Sequence, residues 1–234
     1  MSAFITTGKL NDGQEFSVRS LNLHDIDEVM SLQKKVVLAL AEPDFLQPLT
    51  VEEYTKILNN NDLMIGVFVG EKMIAFRAML APENDDEGLG ADIGLRVEEF
   101  SSIIYSEISN VDPDFRGNGL QTYMGKILLR NLDRKKYKYM LATVAPFNIA
   151  SLKDKFALGM EIAELKEKFG GKLRYLFVKE LTKESTSSST SPTEYINMSD
   201  MKQQKMLLNE GYRGIAMEKR GNEWFIRFES RNRI

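Results

Sequence analysis

Apolar positions change their spacing repeatedly along the chain, and each change marks an element. "FITTGKLNDGQEFSVRSL" reads as two strands around an Asn-Asp-Gly turn, a β-hairpin signal. From about His24 to Leu40 the spacing turns helical, with Ile26, Val29, Met30, Val36 and Val37 on one side. A second helix begins at Thr50, where Thr50 and Glu53 make a capping box. "LMIGVFVGEKMIAFRAML" predicts two apolar strands around Gly-Glu-Lys, and after an acidic stretch "SIIYSEISNV" predicts another. A polar turn, "DPDFRGNG", leads into a helix carrying Leu120, Met124, Ile127, Leu128 and Leu132. "KYMLATV" is the next strand and "NIASLKDKFALG" the next helix, stopped by Gly159. "EIAELKEKF" and "KLRYLFVKEL" pair across Gly170-Gly171.

Strands and helices mixed in this order imply an α/β (mixed α+β) sheet with helices on both faces. Residues 1–182 then form the main domain. Residues 183–194, rich in Ser and Thr and without apolar anchors, read as a linker. Beyond it, 195–234 read as a C-terminal module: a capped helix, "SDMKQQKMLLNEG", and a hairpin turning at Arg220-Gly221-Asn222. Forty residues seldom hold a core alone, so this piece is expected to dock on the main domain or on a second subunit, which leaves room for a homodimer.

Composition narrows the chemistry. The formal net charge of −3 argues against a whole-surface nucleic-acid binder. The chain has no cysteine, which excludes disulfides, thiolate metal sites and a cysteine nucleophile, and fits a cytoplasmic location. One histidine, His24, makes a histidine metal site or a Ser-His-Asp triad a poor fit, and a solvated or capping role suits it better. No basic-then-apolar leader opens the sequence and no eighteen apolar residues run together, so neither a signal peptide nor a membrane span is expected.

The turn at Arg116, Gly117, Asn118 and Gly119 invites an anion. A P-loop needs a lysine that is absent, and the dinucleotide fingerprint finds Thr122 at its last glycine. What remains is a strand-to-helix turn whose free amides and helix dipole hold a pyrophosphate, with Arg116 adding charge. Taken alone, a glycine-stiffened turn that caps a helix and binds nothing fits as well.

The run V-x-P-x-x-R-G-x-G-L, after a strand and before an amphipathic helix, resembles the acetyl-CoA motif of the GNAT superfamily of N-acetyltransferases. That motif is written Q/R-x-x-G-x-G/A; Arg116 and Gly119 fill its first two places, and Gln121 stands where Gly or Ala is usual. The Asn-led helix ending in Gly plus a large apolar residue resembles a second family motif, with Asn148, Gly159 and Met160. Strand and helix order from about residue 14 to 182 follows the family layout. The resemblance implies a central, mostly antiparallel sheet and transfer of acetyl from acetyl-CoA directly to an amine. It also implies donor contacts from Ser109, Asn110 and Val111 on the strand, Arg116 to Gln121 in the turn, and Asn148.

An alkyl ammonium must lose a proton before it attacks, which at pH 7 costs on the order of 4 kcal/mol for a pKa near 10. By alternation Tyr105, Glu107, Ser109 and Val111 share a face. The resemblance places bases at Tyr105 and Glu107, with Glu107 preferred, acting through water; a simple ion pair at a sheet edge is the other account of it. Where the family often has a general-acid tyrosine, this chain has Lys155. The acceptor is expected to be a small-molecule or peptide amine. Glu83, Asp85, Asp86, Glu87, Asp92, Glu98 and Glu99 either draw in a cationic acceptor or are a solvated loop. The alternative function is a non-catalytic acyl-CoA-binding module acting on a protein partner.

Overall fold

A computed structural model describes residues 4–59, 63–182 and 192–231. In chain order they form β1 (Phe4–Lys9), β2 (Glu15–Ser20), α1 (Ile26–Leu38), α2 (Val51–Leu58), β3 (Met64–Val69), β4 (Lys72–Leu80), α3 (Leu89–Asp92), β5 (Ile103–Val111), α4 (Leu120–Asn131), β6 (Tyr139–Val144), α5 (Ile149–Ala157), β7 (Glu161–Lys168), β8 (Lys172–Glu180), β9 (Thr193–Asn197), α6 (Met201–Asn209), β10 (Tyr212–Arg220) and β11 (Glu223–Ser230). The fold is mixed α/β, and of the pairings whose register is described only β5–β6 is parallel. Two compact units divide the chain: one takes the residues up to Leu80 with Ser106–Leu132, the other Ala81–Tyr105 with the residues from Asp133 onward.

In the first unit β1, β2, β3 and β4 pair antiparallel in chain order. The capping box foreseen at Thr50 is formed: Thr50 Oγ1 accepts from the Glu53 amide at 3.2 Å and Glu53 returns the bond to the Thr50 amide at 2.7 Å. Val29, Leu32 and Val36 of α1 and Tyr54, Ile57 and Leu58 of α2 pack with Phe76 and Ala78 of β4 in one buried cluster. Between them in β4, Arg77 reaches Gln121 of α4, so α1–α2 and α4 cover opposite faces of that strand. A fully buried hydrogen-bond knot fastens α1 to α2. Tyr54 donates to Gln33 Oε1 at 2.6 Å, and the Gln33 carboxamide also exchanges bonds with the amide and carbonyl of Leu49 at 3.0 and 2.9 Å.

In the second unit β6, β8, β7, β10, β11 and β9 follow one another, antiparallel throughout, with the first residues of β5 pairing to β6 from Ile103–Tyr139 to Tyr105–Leu141. The C-terminal hairpin joins β7 at Gly214–Ile162, where Arg213 Nη1 also donates to the Ala163 carbonyl at 2.9 Å. Gln204 of α6 is fully buried and accepts from Tyr175 of β8 at 2.7 Å while donating to the Met198 carbonyl at 3.0 Å. The linker expected over 183–194 lies outside the described residues as far as 191. Two elements were not foreseen. Strand β9 is five residues long and exists through its pairing with β11, a partner that local pattern does not reveal. Helix α3 is four residues inside the acidic stretch, capped from the buried Asp85.

Gln33→Ala leaves the Tyr54 hydroxyl and both Leu49 backbone groups without their buried partner. Urea unfolding should show a loss of about 3 kcal/mol, given ~1–3 kcal/mol for each orphaned group and partial relaxation.

Candidate functional site

The turn that follows β5 is built from the strand end upward. The Asp112 amide donates to the Ile74 carbonyl at 2.8 Å, and Asp112 Oδ1 accepts from the Asp114 amide at 3.0 Å, capping a single 3-10 turn at Pro113–Phe115. Gly117 (φ 85) and Gly119 (φ 68) are both left-handed, which an L side chain adopts only under strain, and α4 opens directly at Leu120. A β-carbon at either glycine would meet nothing within 4 Å, so the glycines serve conformation and border open space.

The loop's carbonyls are tied back by its own neighbours. Asn118 Nδ2 donates to the Phe115 carbonyl at 3.0 Å, Asn11 Nδ2 to Gly117 at 3.2 Å, and the buried Arg77 to Gln121 at 2.9 Å. Among the described residues, the amides of Gly117, Asn118, Gly119, Leu120 and Gln121 have no hydrogen bond to protein. A helix N-terminus with such amides favours an anion through their partial charges. The Asn118 side chain is turned into the loop, its Oδ1 accepting from the Asn11 amide at 2.8 Å. Arg116 remains exposed, with a long 3.5 Å contact to the Ala39 carbonyl.

Beneath the turn lies a buried carboxylate. Asp112 is 1% exposed and is held by Lys35 at 2.6 Å and Lys72 at 3.2 Å; Lys35 also reaches the exposed Asp114 at 2.6 Å. Burial by itself would push the Asp112 carboxyl up, but the Lys35 bond, the Asp114 amide and Lys72 together hold it below the usual carboxylate range. The same two carboxylates raise the Lys35 ammonium.

On β5, Glu107 is half-buried, and its charge, after burial, helps push the Tyr54 hydroxyl above its ordinary value. Ser106 accepts from Arg77 at 2.8 Å on the α4 side, whereas Ile108 belongs to the α1–α2 cluster. Strict alternation would put those two side chains together, so the expected shared face is interrupted at Glu107. Further along, Ser109 Oγ and both ends of the Asn110 carboxamide are buried without a hydrogen-bond partner. Each such group costs about 1–3 kcal/mol and calls for a ligand, a water or strain to explain it.

Tyr105, Asn148 and Lys155 belong to the second unit. Tyr105 is 1% exposed and donates to Asp85 Oδ1 at 2.6 Å; burial, then Asp85, pushes its hydroxyl up. Asp85 accepts in addition from the Gly90 and Ala91 amides, both at 2.9 Å. Asp92 holds Lys166 and Lys168, each at 2.8 Å, and Glu99 accepts from Tyr139 at 2.9 Å. The Tyr139 hydroxyl is thereby pushed up to about 12, by burial first and Glu99 next. Three carboxylates of the acidic run therefore hold its own fold together. Asn148 caps α5, accepting from the Ser151 amide at 3.2 Å, next to the left-handed Phe147. Lys155 is buried beside Asp154 at 3.2 Å. Among the described residues, no cluster of His, Asp and Glu is arranged to hold a metal ion.

Sequence reasoning missed Arg77, Gln33 and Asn11, and it named Asp85 only as one carboxylate of the acidic run. Asn11 and Asp85 stood in polar stretches read as turn and loop, and Arg77 stood in an apolar strand where only burial distinguishes it.

No protein-family model and no curated protein matches the chain in sequence. Solved structures match by shape. The chain is similar to yncA of Salmonella typhimurium, assigned as an acetyltransferase and solved with its cofactor acetyl-CoA, at 14% identity and a TM-score of 0.54, over 75% of this chain and 99% of that one. It is similar to an acetyltransferase of the GNAT family from Streptococcus pneumoniae at 17% identity and a TM-score of 0.51, over 70% and 98%. It is also similar to Arabidopsis thaliana Naa50 in complex with a bisubstrate analogue, at 12% identity and a TM-score of 0.52, over 70% and 98%. The chain has the GNAT fold.

A carboxylate depressed in the folded state contributes stability that is present above its unfolded pKa and lost as pH falls through the folded one. Stability of the wild type should therefore decline below about pH 4. In Asp112→Asn the decline should be shallower and the neutral-pH stability lower, as read by urea midpoints across the acid range.

Proposed function

We propose that the protein is a GNAT-family N-acetyltransferase that passes acetyl from acetyl-CoA directly to a primary amine. The observation that carries this reading is the turn into α4. Five neighbouring amides lack a protein acceptor while the loop's carbonyls are tied away, and an exposed Arg116 stands at its start. That donor set fits a pyrophosphate, which prefers backbone N–H groups at a helix N-terminus and a guanidinium. The unpartnered Ser109 hydroxyl and Asn110 carboxamide fit the amide-bearing arm of the same donor. The GNAT fold supports the assignment at the level of architecture.

Acetyl-CoA, when bound, supplies an activated thioester. The chain's part is to bind it, to polarise the reacting carbonyl with a strand amide such as that of Ser109, and to take the proton of the amine. Glu107 is assigned that proton, through water. Tyr105 and Lys155 each already hold a carboxylate of the second unit, Asp85 and Asp154, so neither is assigned the proton transfer. A thiol of pKa near 8.5 leaves without a dedicated acid. The acceptor is a small-molecule or peptide amine.

Thermal unfolding with acetyl-CoA at about 100 times its dissociation constant should show roughly 2.7 kcal/mol of added stability in the wild type. Gly119→Trp, folded but strained by about 1–2 kcal/mol at a left-handed position, should show none. A wild type indifferent to saturating acetyl-CoA removes the donor and the chemistry built on it.

Glu107→Gln should retain donor binding and lose about 10²- to 10⁴-fold in kcat against any amine the wild type acetylates, with the acidic limb of its pH profile gone. An unchanged kcat assigns the base elsewhere.

A further inference from the structure

We infer that the tip of the β1–β2 hairpin is a working part of this site, with Asn11 as a positioning residue for the donor's pyrophosphate; this rests on the acetyl-CoA reading above. Asn11 stands 107 positions before Asn118 and 106 before Gly117, yet it bonds to both. Its main-chain N–H donates to Asn118 Oδ1 at 2.8 Å, and its Nδ2 donates to the Gly117 carbonyl at 3.2 Å. Asn118 completes the set by donating to Phe115 at 3.0 Å.

The hairpin does not need these bonds. Its turn closes through Leu10 to the Gln14 carbonyl at 2.9 Å, Gly13 to the Leu10 carbonyl at 2.9 Å, and the Gln14 amide to Asp12 Oδ1 at 2.9 Å. Asn11 takes no part in that closure, and its donors point outward to the other loop.

What they do there follows from the peptide unit. In a planar trans peptide the carbonyl and the next N–H point opposite ways. Fixing the Gly117 carbonyl towards Asn11 therefore aims the Asn118 N–H away from it, towards the side where the amides are open. This peptide joins Asn118 to Gly117, one of the two left-handed and most permissive residues of the turn. Were it to flip, a carbonyl oxygen would face the bound anion in place of an N–H. Asn11 holds the orientation that attracts a phosphate.

The test compares CoA with pantetheine, which lacks the pyrophosphate, by titration calorimetry on the full chain. Asn11→Ala should weaken CoA roughly three- to tenfold, the span of one neutral hydrogen bond, and move pantetheine less than twofold. Its urea midpoint should fall by no more than the loss of one hydrogen bond allows, with the fold intact. Asn118→Ala, which removes the acceptor of the Asn11 main-chain amide and the bond to Phe115, should weaken CoA similarly. An unmoved CoA constant overturns the assignment. So does a parallel loss for both compounds, which would mark a purely structural residue. A wild type that binds neither compound overturns the donor reading itself, a result visible before any variant is made.

Discussion

A planar peptide cannot aim its carbonyl and its N–H in the same direction, and the passage from β5 to α4 depends on that constraint. Every carbonyl that a neighbour ties down commits an amide to the other side. Asn11 and Asn118 do this within the turn, and Arg77 does it at the first turn of the helix. Two left-handed glycines make the path sterically open, and the side-chain ties remove the freedom that those glycines would otherwise retain. A row of aligned amides at a helix N-terminus results, the kind of surface on which an anion displaces water without requiring rearrangement.

The supports of that turn are mostly charged or polar groups removed from water, which is costly unless each one is answered. In the first unit Asp112 is answered by two lysines and a backbone amide, and the Arg77 Nη1 and Nη2 atoms by Gln121 and Ser106. In the second, Asp85 gathers two amides and the Tyr105 hydroxyl, fastening α3 to β5. Ser109 and Asn110 break the pattern, and they break it on the strand that leads to the turn.

Much of this was legible in the residues. The Asn-Asp-Gly hairpin, the Thr50–Glu53 capping box and the glycine stop at Gly159 are local devices whose atoms lie within a few positions of one another. The glycine turn was legible for the same reason. Strand β9 and helix α3 were not. The first depends on pairing with a strand about thirty residues onward, and the second on a carboxylate read as a solvated charge. The expected alternation along β5 broke at Glu107 because Ser106 and Ile108 serve different neighbours on different faces, which a period of two does not foresee.

By itself, then, the sequence determined most of the elements, their caps, the glycine turn and the absence of cysteine chemistry, because these follow from backbone preference and residue type over short spans. The tertiary structure decided which polar residues are tools and which are struts. Asp92 and Glu99 looked like free charge and are bound; Asn11 looked like a turn residue and holds the loop before α4; Arg77 looked like an interruption of an apolar strand and anchors the helix. The physical reason is that a hydrogen bond depends on distance in space, and these partners are separated by tens to more than a hundred residues of chain.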